Sequence, residues 1–87
     1  MKRTLLKFSA RWCGPCKVLT ALFDDEKEVF DKAGVEVQEI DIDNHANLAK
    51  DYDVRKVPYL VLLDSENQVL KTHTGTLDVK ELEEFVA

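Results

Sequence analysis

The sequence Trp12-Cys13-Gly14-Pro15-Cys16-Lys17 decides how the rest of the chain is organised. It contains the only two cysteines and the only tryptophan of the 87 residues, and one of the two prolines lies between the cysteines. An apolar run that ends at Phe8 precedes it, and a long segment with helical periodicity follows it. Two thiols three positions apart, where a strand meets a helix, predict a redox-active dithiol.

The residue types within this stretch suit thiol–disulfide exchange. A thiolate attacks a substrate disulfide, and a second thiol must then resolve the mixed disulfide. We assign the attack to Cys13, because the free N–H groups and the dipole at a helix N-terminus favour an anion. Cys16, one turn into the helix, is expected to be more buried and to resolve the intermediate. Pro15 suits a first helical turn, and Gly14 permits tight geometry and the close approach of a partner chain.

Composition predicts a single small domain over residues 1–87. The chain is 45% apolar and 33% charged, as is typical of globular proteins, and no apolar run approaches the roughly 18 residues that span a bilayer. The basic N-terminus lacks the unbroken apolar core of a signal peptide, so we expect a cytoplasmic location. We also expect the chain to be a monomer. In that reducing compartment two cysteines are more often catalytic or metal-binding than structural.

Charge is unevenly distributed along the chain. The net charge is −5, which argues against non-specific nucleic-acid binding. The first 17 residues carry five basic side chains and no acidic one, so the remaining residues carry a net charge of −10. If Arg11 and Lys17 flank the dithiol, the reactive face is locally positive on an acidic body.

The apolar periodicity predicts the element order βαβαββα, an α/β fold with a four-stranded mixed sheet and helices on both faces. Strands are predicted at residues 4–10, from Val35 to Asp41 or Ile42, at residues 59–63, and from Gln68 to Thr72 or His73. One long helix should run from Cys13 or Pro15 to Ala33, although Glu26 interrupts its apolar stripe. Because crossover helices join the first three strands, we expect those strands to be parallel and the last to be an antiparallel edge.

The helix ends carry local signals of their own. Gly34 is expected to cap the long helix at its C-terminus, and Asp43 or Asn44 to cap a short helix. In the last helix Asp78 and Glu81 can form a capping box, with Leu77 and Leu82 as the hydrophobic staple. The inner face of that helix is assigned to Val79, Leu82, Phe85 and Val86.

With the motif and the element order together, the chain resembles the thioredoxin family. Residues 12–17 match that family's active-site signature residue for residue, and further segments follow at family-like spacing: Ile40-Asp41-Ile42-Asp43, Leu48-Ala49-Lys50, Tyr52, Val54-Arg55, Val57-Pro58 and Gly75. The resemblance implies a minimal form of the fold, because the family's extra N-terminal strand and helix are missing. It also implies a cis Val57–Pro58 bond facing the dithiol, and a substrate surface made of Trp12, Gly14, Pro15, Val57, Pro58 and Gly75.

Several positions depart from the family pattern. Ser9 replaces a common tryptophan, and Ala21 replaces the proline that usually kinks the long helix, so that kink should be absent. Asp53 replaces a frequent glycine, and aspartate is among the few residues that tolerate left-handed geometry.

The most informative departure concerns Lys7 and Glu39. The family usually has an aspartate at the first position and a lysine at the second, so the two charges are exchanged. We hypothesise that Glu39, directly or through water, accepts the proton of Cys16, while Lys7 keeps Glu39 ionised and favours thiolates. In the alternative interpretation, Lys7 extends to solvent and the pair never forms.

Other functions stay open at this point. The short fold permits a glutathione-linked glutaredoxin, although the Gly-Pro between the cysteines and the preceding Trp12 are thioredoxin-like. One C-x-x-C supplies only two of the four ligands that structural zinc generally requires, so a metal-binding module is disfavoured, although a dimer that shares a cluster across two such sites could supply four. A purely structural disulfide is disfavoured as well, since so short a ring adds little stability. His45 and His73 are interpreted as solvated.

The resemblance also implies the electron source and the clients. It predicts a general protein-disulfide reductase that is recharged by a flavoprotein thioredoxin reductase and needs no cofactor beyond its own Cys13–Cys16 disulfide. Ribonucleotide reductase and peroxide reductases are candidate clients, with neither nucleic acid nor membrane as a partner.

Overall fold

Four strands form one mixed sheet in the computed structural model, which describes residues 2–87. The strands are β1 (Arg3–Ser9), β2 (Val35–Asp41), β3 (Tyr59–Leu63) and β4 (Val69–Thr74), in the spatial order β2-β1-β3-β4. Strand β1 pairs parallel with β2 and antiparallel with β3, and β4 pairs antiparallel with β3. The predicted mixed sheet, with β4 as its antiparallel edge, is confirmed.

The predicted direction of β3 was wrong. Helix α3 (Ala46–Asp51), between β2 and β3, has only six residues and therefore spans about 9 Å, whereas a seven-residue strand spans about 23 Å. Helix α3 is therefore too short to return the chain to the end of the sheet at which β2 begins. Strand β3 starts at the end of the sheet where β1 and β2 finish, with Tyr59 opposite Phe8. Its N-terminus therefore lies at the dithiol end of the molecule.

The predicted single long helix is two helices. Helix α1 covers Gly14–Asp25 and α2 covers Lys27–Ala33, with a break at Glu26, whose φ and ψ are −114° and 35°. In an unbroken helix Glu26 would share the buried face with Phe23 and Phe30. The break leaves Glu26 only partly buried while the two phenyl rings pack 4.8 Å apart. Gly34 then ends α2 with a positive φ of 67°, as predicted.

The two remaining helices differ in how they begin. Helix α4 (Val79–Phe85) has the predicted capping box between Asp78 and Glu81. Helix α3 begins after His45 without a side-chain cap, so the predicted cap by Asp43 or Asn44 was wrong. The reason is an earlier turn, in which Asp41 Oδ1 accepts a hydrogen bond from the backbone N–H of Asp43.

Two apolar cores cover the two faces of the sheet. One contains Leu5, Leu60 and Leu62 of the sheet with residues of α1, α2 and α4, and it includes both staple residues, Leu77 before α4 and Leu82 within it. The other packs Leu6, Phe8, Ile40, Val61 and Leu63 against Ala49 of α3. Helices on both faces are therefore confirmed, but Val79 of α4 is 37% exposed rather than part of the inner face.

Candidate active site

The two cysteines form a disulfide at the start of α1. Cys13 is the N-cap residue, and its sulfur accepts a hydrogen bond of 3.1 Å from the backbone N–H of Cys16. The Cα atoms are 5.3 Å apart, and Pro15 occupies the first turn as predicted. The helix N-terminus thus directs a backbone donor at the Cys13 sulfur, where it would also stabilise a thiolate.

Cys16 is the more buried of the two cysteines, as expected, but the difference in exposure is small. Cys13 is 4% exposed and Cys16 is 2% exposed. Their surroundings differ instead: Gly14 and Pro15 between them are exposed, whereas Cys16 continues into the buried side of α1. A substrate can therefore reach the disulfide over the Gly14–Pro15 segment.

The loop before β3 forms the other wall of the site. The carbonyl oxygen of Val57 lies 3.7 Å from Cys13 Sγ, and the Val57–Pro58 peptide bond is cis, as the resemblance implied. Gly75 donates its backbone N–H to the Pro58 carbonyl oxygen at 2.8 Å, and its φ of 92° explains why glycine stands there. The antiparallel direction of β3 therefore places Val57, Pro58 and Gly75 at the dithiol end.

Trp12 lies on the surface beside the disulfide. Its side chain is 69% exposed, so it is not a core residue. Its indole N–H donates a 3.2 Å hydrogen bond to Asp43 Oδ2, which holds the ring against the loop after β2. An exposed indole next to a buried disulfide offers apolar area to a partner.

Gly14 is not needed for tight geometry within the chain, contrary to one of the two roles expected for it. A Cβ atom added to it would meet no atom within 4 Å, and its φ is not among the positive values. The fold itself therefore does not need glycine at this position. The open space above it is available to a partner chain.

Lys7 and Glu39 form the predicted pair, so the interpretation in which Lys7 extends to solvent was wrong. Their Nζ and Oε1 atoms are 3.0 Å apart, with the lysine side chain 2% exposed and the glutamate side chain 55% exposed. The ammonium also contacts Thr20 Oγ1 and lies 5.6 Å from the centroid of the Phe23 ring. The pair is therefore buried only on its lysine side.

Thr20 and Ser9, which were not predicted as site residues, connect this pair to the dithiol. The Thr20 hydroxyl donates to the Cys16 carbonyl oxygen at 3.0 Å and accepts from Lys7. The Ser9 hydroxyl donates to Glu39 Oε1 at 3.3 Å. The spacing of Thr20 four residues after Cys16 was the available signal, since a helical hydroxyl commonly bonds the carbonyl one turn back.

A cleft of about 370 Å³ opens beside Cys16, and neither Cys13 nor Val57 is among its lining residues. Its lining includes Cys16, Thr20, Glu39 and, at the end of β2 and the start of α3, Asp41 and His45. Ser9 and Lys7 both contact Oε1 of Glu39, and no residue in 2–87 bonds Oε2. The cleft could therefore hold water between the Glu39 carboxylate and Cys16.

Among residues 2–87, no group of three or more His, Cys, Asp or Glu side chains is arranged to hold a metal ion. No helix within that range is long and apolar enough to cross a membrane.

The chain is similar in sequence to known thioredoxins. The family model described as Thioredoxin matches residues 1–87. A thioredoxin of Buchnera aphidicola subsp. Acyrthosiphon pisum is 36% identical over 83 residues, which cover 94% of this chain and 74% of the relative. The mitochondrial thioredoxin of Bos taurus is 39% identical over 83 residues, which cover 94% of this chain and 48% of that protein.

Solved structures agree with the sequence matches. A thioredoxin from Halobacterium salinarum superposes with a TM-score of 0.83 at 30% identity, covering 98% of this chain and 72% of that one. Thioredoxin-2 of the malaria parasite, at 21% identity, supports the fold alone, with a TM-score of 0.88 and coverage of 98% and 81%. With its disulfide at the start of α1, the chain belongs to the thioredoxin family of thiol–disulfide oxidoreductases.

Proposed function

We propose that this chain reduces protein disulfides with Cys13 as the nucleophile and Cys16 as the resolving thiol. The observation that carries the assignment is the position of Cys13 as N-cap of α1, facing the Val57 carbonyl at 3.7 Å and bordered by exposed Gly14 and Pro15. A partner strand that lies along Val57 and Pro58 would bring its disulfide to this sulfur. Trp12 and Gly75 complete the proposed substrate surface.

The electron balance of the reaction is simple. The Cys13 thiolate attacks one sulfur of the substrate disulfide, and the other substrate sulfur leaves as a thiolate that takes a proton. Cys16 then loses its proton and attacks Cys13 Sγ, which releases the second substrate thiol. The substrate gains two electrons and two protons, and the protein is left with the Cys13–Cys16 disulfide seen in the structure. The cycle therefore requires no cofactor beyond this disulfide.

Glu39 is the proposed proton acceptor for Cys16, acting through water in the cleft that both residues line. Its support is the free Oε2 atom, since Lys7 and Ser9 both occupy Oε1. Lys7, buried against Phe23 and Thr20, would hold the carboxylate in position in both redox states.

The electron donor that fits this function is a flavoprotein thioredoxin reductase in the cytoplasm. Ribonucleotide reductase and peroxide reductases are the proposed clients, met by the chain as a monomer.

A redox titration of the dithiol combined with insulin reduction tests the function. We expect reduction of insulin disulfides when NADPH and a thioredoxin reductase supply electrons, and little when glutathione replaces them. Cys13→Ser should abolish turnover. Turnover that survives in Cys13→Ser would contradict the assignment.

The role of Glu39 is tested by the rate at which Cys16 resolves a preformed mixed disulfide on Cys13. In Glu39→Gln we expect slower resolution and an altered pH profile. Glu36→Gln, on the same strand and paired only with Lys2 at 3.9 Å, is the matched control. A pH profile in Glu39→Gln that matches the wild-type profile would exclude the proposed role.

A further inference from the structure

Three exposed cations surround the disulfide without partners of their own. Arg11 precedes the motif, Lys17 is its last residue, and Lys56 precedes Val57, whose carbonyl lies 3.7 Å from Cys13 Sγ. Within residues 2–87 the ion pairs are Lys2–Glu36, Lys7–Glu39 and Arg55–Asp53, so none of the three cations takes part in one. We call these three residues the basic rim.

Three carboxylates of the loops after β2 and α3 bond within the chain. Asp43 accepts from the Trp12 indole, Asp41 accepts from the Asp43 backbone, and Asp53 pairs with Arg55. Their charges remain, but their bonds hold them to the loops after β2 and α3. The cations of the basic rim, in contrast, keep all their donors free for a partner.

Two exposed apolar side chains lie among these cations. Trp12 is 69% exposed, and Val18, in the second turn of α1, is 64% exposed. A partner segment with apolar side chains could cover both, while its charged groups met the rim. Aromatic and aliphatic contacts supply affinity in such interfaces, and charges supply selectivity and association rate.

The rest of the molecule is acidic, which limits the kind of anion that fits. Residues 18–87 carry a net charge of −10. A long polyanion would be repelled by that body, whereas a short acidic segment would touch only the basic rim. The same asymmetry would orient an approaching acidic segment toward the dithiol.

We propose that the preferred substrates are protein disulfides flanked by acidic side chains, bound across the basic rim of Arg11, Lys17 and Lys56. The proposal deepens the proposed function and rests on it. It assigns substrate selection to residues outside the pair of cysteines, and it makes selection dependent on salt.

The test compares two disulfide-bridged peptides that differ only in flanking residues, glutamate in one and lysine in the other. At low salt we expect kcat/KM to be about 10-fold higher for the glutamate peptide, as steering can supply. At 1 M salt, where the Debye length is about 3 Å, the two values should converge. Neutral 2-hydroxyethyl disulfide is the reference substrate, because its reduction does not depend on flanking charge.

Charge reversals then locate the effect. Arg11→Glu, Lys17→Glu and Lys56→Glu should each lower kcat/KM for the glutamate peptide by about 3-fold, the size expected for an exposed pair. The triple variant should prefer the lysine peptide. The rate with the neutral disulfide measures any loss that does not depend on substrate charge, and each peptide rate is divided by it before comparison.

Lys32→Glu is the matched control. Lys32 is an exposed cation in the last turn of α2, and Gly34 after it bonds Arg3 at the end of the sheet opposite the dithiol. Equal rates for the two peptides, or an equal loss in Lys32→Glu, would overturn the proposal while reduction of the neutral disulfide continued. Failure to reduce any of the three substrates would instead contradict the proposed function.

Discussion

The two sulfurs of the disulfide face structurally different sides of the molecule. The Cys13 side consists of Trp12, the exposed Gly14–Pro15 segment and the loop at Val57, and it offers backbone and open space. The Cys16 side consists of Thr20, Lys7, Ser9 and Glu39, which bond one another around a cleft. One side therefore leaves exposed backbone and open space beside the disulfide, whereas the other is filled by a network of charged and hydroxyl side chains.

Replacing either cysteine with serine should have the largest effect, and the effect should differ between the two sides. Cys13→Ser should eliminate disulfide reduction, because no thiolate remains on the open side. Cys16→Ser should still attack through Cys13 and accumulate mixed disulfides with the substrate, since resolution is lost. Each reduced variant is mixed with a protein disulfide, and mass spectrometry then measures the reduced substrate and the mixed disulfide that have formed. Stable mixed disulfides in Cys13→Ser but not in Cys16→Ser would reverse the assignment of the two sides.

Removing Glu39 from the Lys7–Glu39 pair should lower the unfolding free energy more than removing Lys7. Glu39→Gln leaves the buried ammonium without its counter-ion and should cost about 2 kcal/mol of unfolding free energy, below the roughly 3–5 kcal/mol of a fully buried pair, because water already reaches Glu39. Lys7→Met leaves a solvated carboxylate and should stay within about 1 kcal/mol of wild type.

Urea denaturation measures both changes. Glu36→Gln, which disrupts the exposed contact with Lys2, should change stability by less than about 0.5 kcal/mol. If Glu39→Gln lowered the unfolding free energy as little as that control, the buried Lys7 ammonium would not depend on the Glu39 carboxylate for its stability.

The two glycines of the Cys13 side should respond differently to the same change. Gly75→Ala forces a residue with a side chain to a φ of 92° and should destabilise the protein by about 1–2 kcal/mol. Gly14→Ala should alter stability by no more than about 0.5 kcal/mol, because its Cβ points into open space in a helix. If close approach of a partner uses that space, Gly14→Ala should lower kcat/KM for insulin but not for 2-hydroxyethyl disulfide. An equal loss with both substrates would mean that the effect arises within the chain.

Trp12→Ala should affect substrate affinity more than stability. The ring is mostly exposed and its one hydrogen bond joins exposed groups, so we expect a change below about 0.5 kcal/mol. The KM for insulin should rise several-fold, since apolar contact area on the open side is lost. Trp12→Phe keeps most of that area and should restore most of the affinity. A KM in Trp12→Ala that matches wild type would remove this residue from the substrate surface.

Much of the fold and of the site could be predicted because the signals are local. The disulfide joins residues three apart, the capping box of α4 joins Asp78 to Glu81, and Gly34 ends α2 where a positive φ is required. Each depends on neighbouring residues only, so the spacing within the sequence was sufficient. The break at Glu26 was visible as an interruption of the apolar stripe, but the pattern did not reveal that the helix would divide there.

The sequence alone determined the reactive pair, the order of the four strands and most of the residues that form the two cores, but not the division of the first helix at Glu26. Only the tertiary structure decided the direction of β3, and with it the arrival of Val57, Pro58 and Gly75 at the dithiol. It also decided that Lys7 is buried against Thr20 and paired with Glu39, residues 13 and 32 positions away. The physical reason is that periodicity records which face of a segment is apolar, whereas strand direction and long-range contacts depend on how the connections pack.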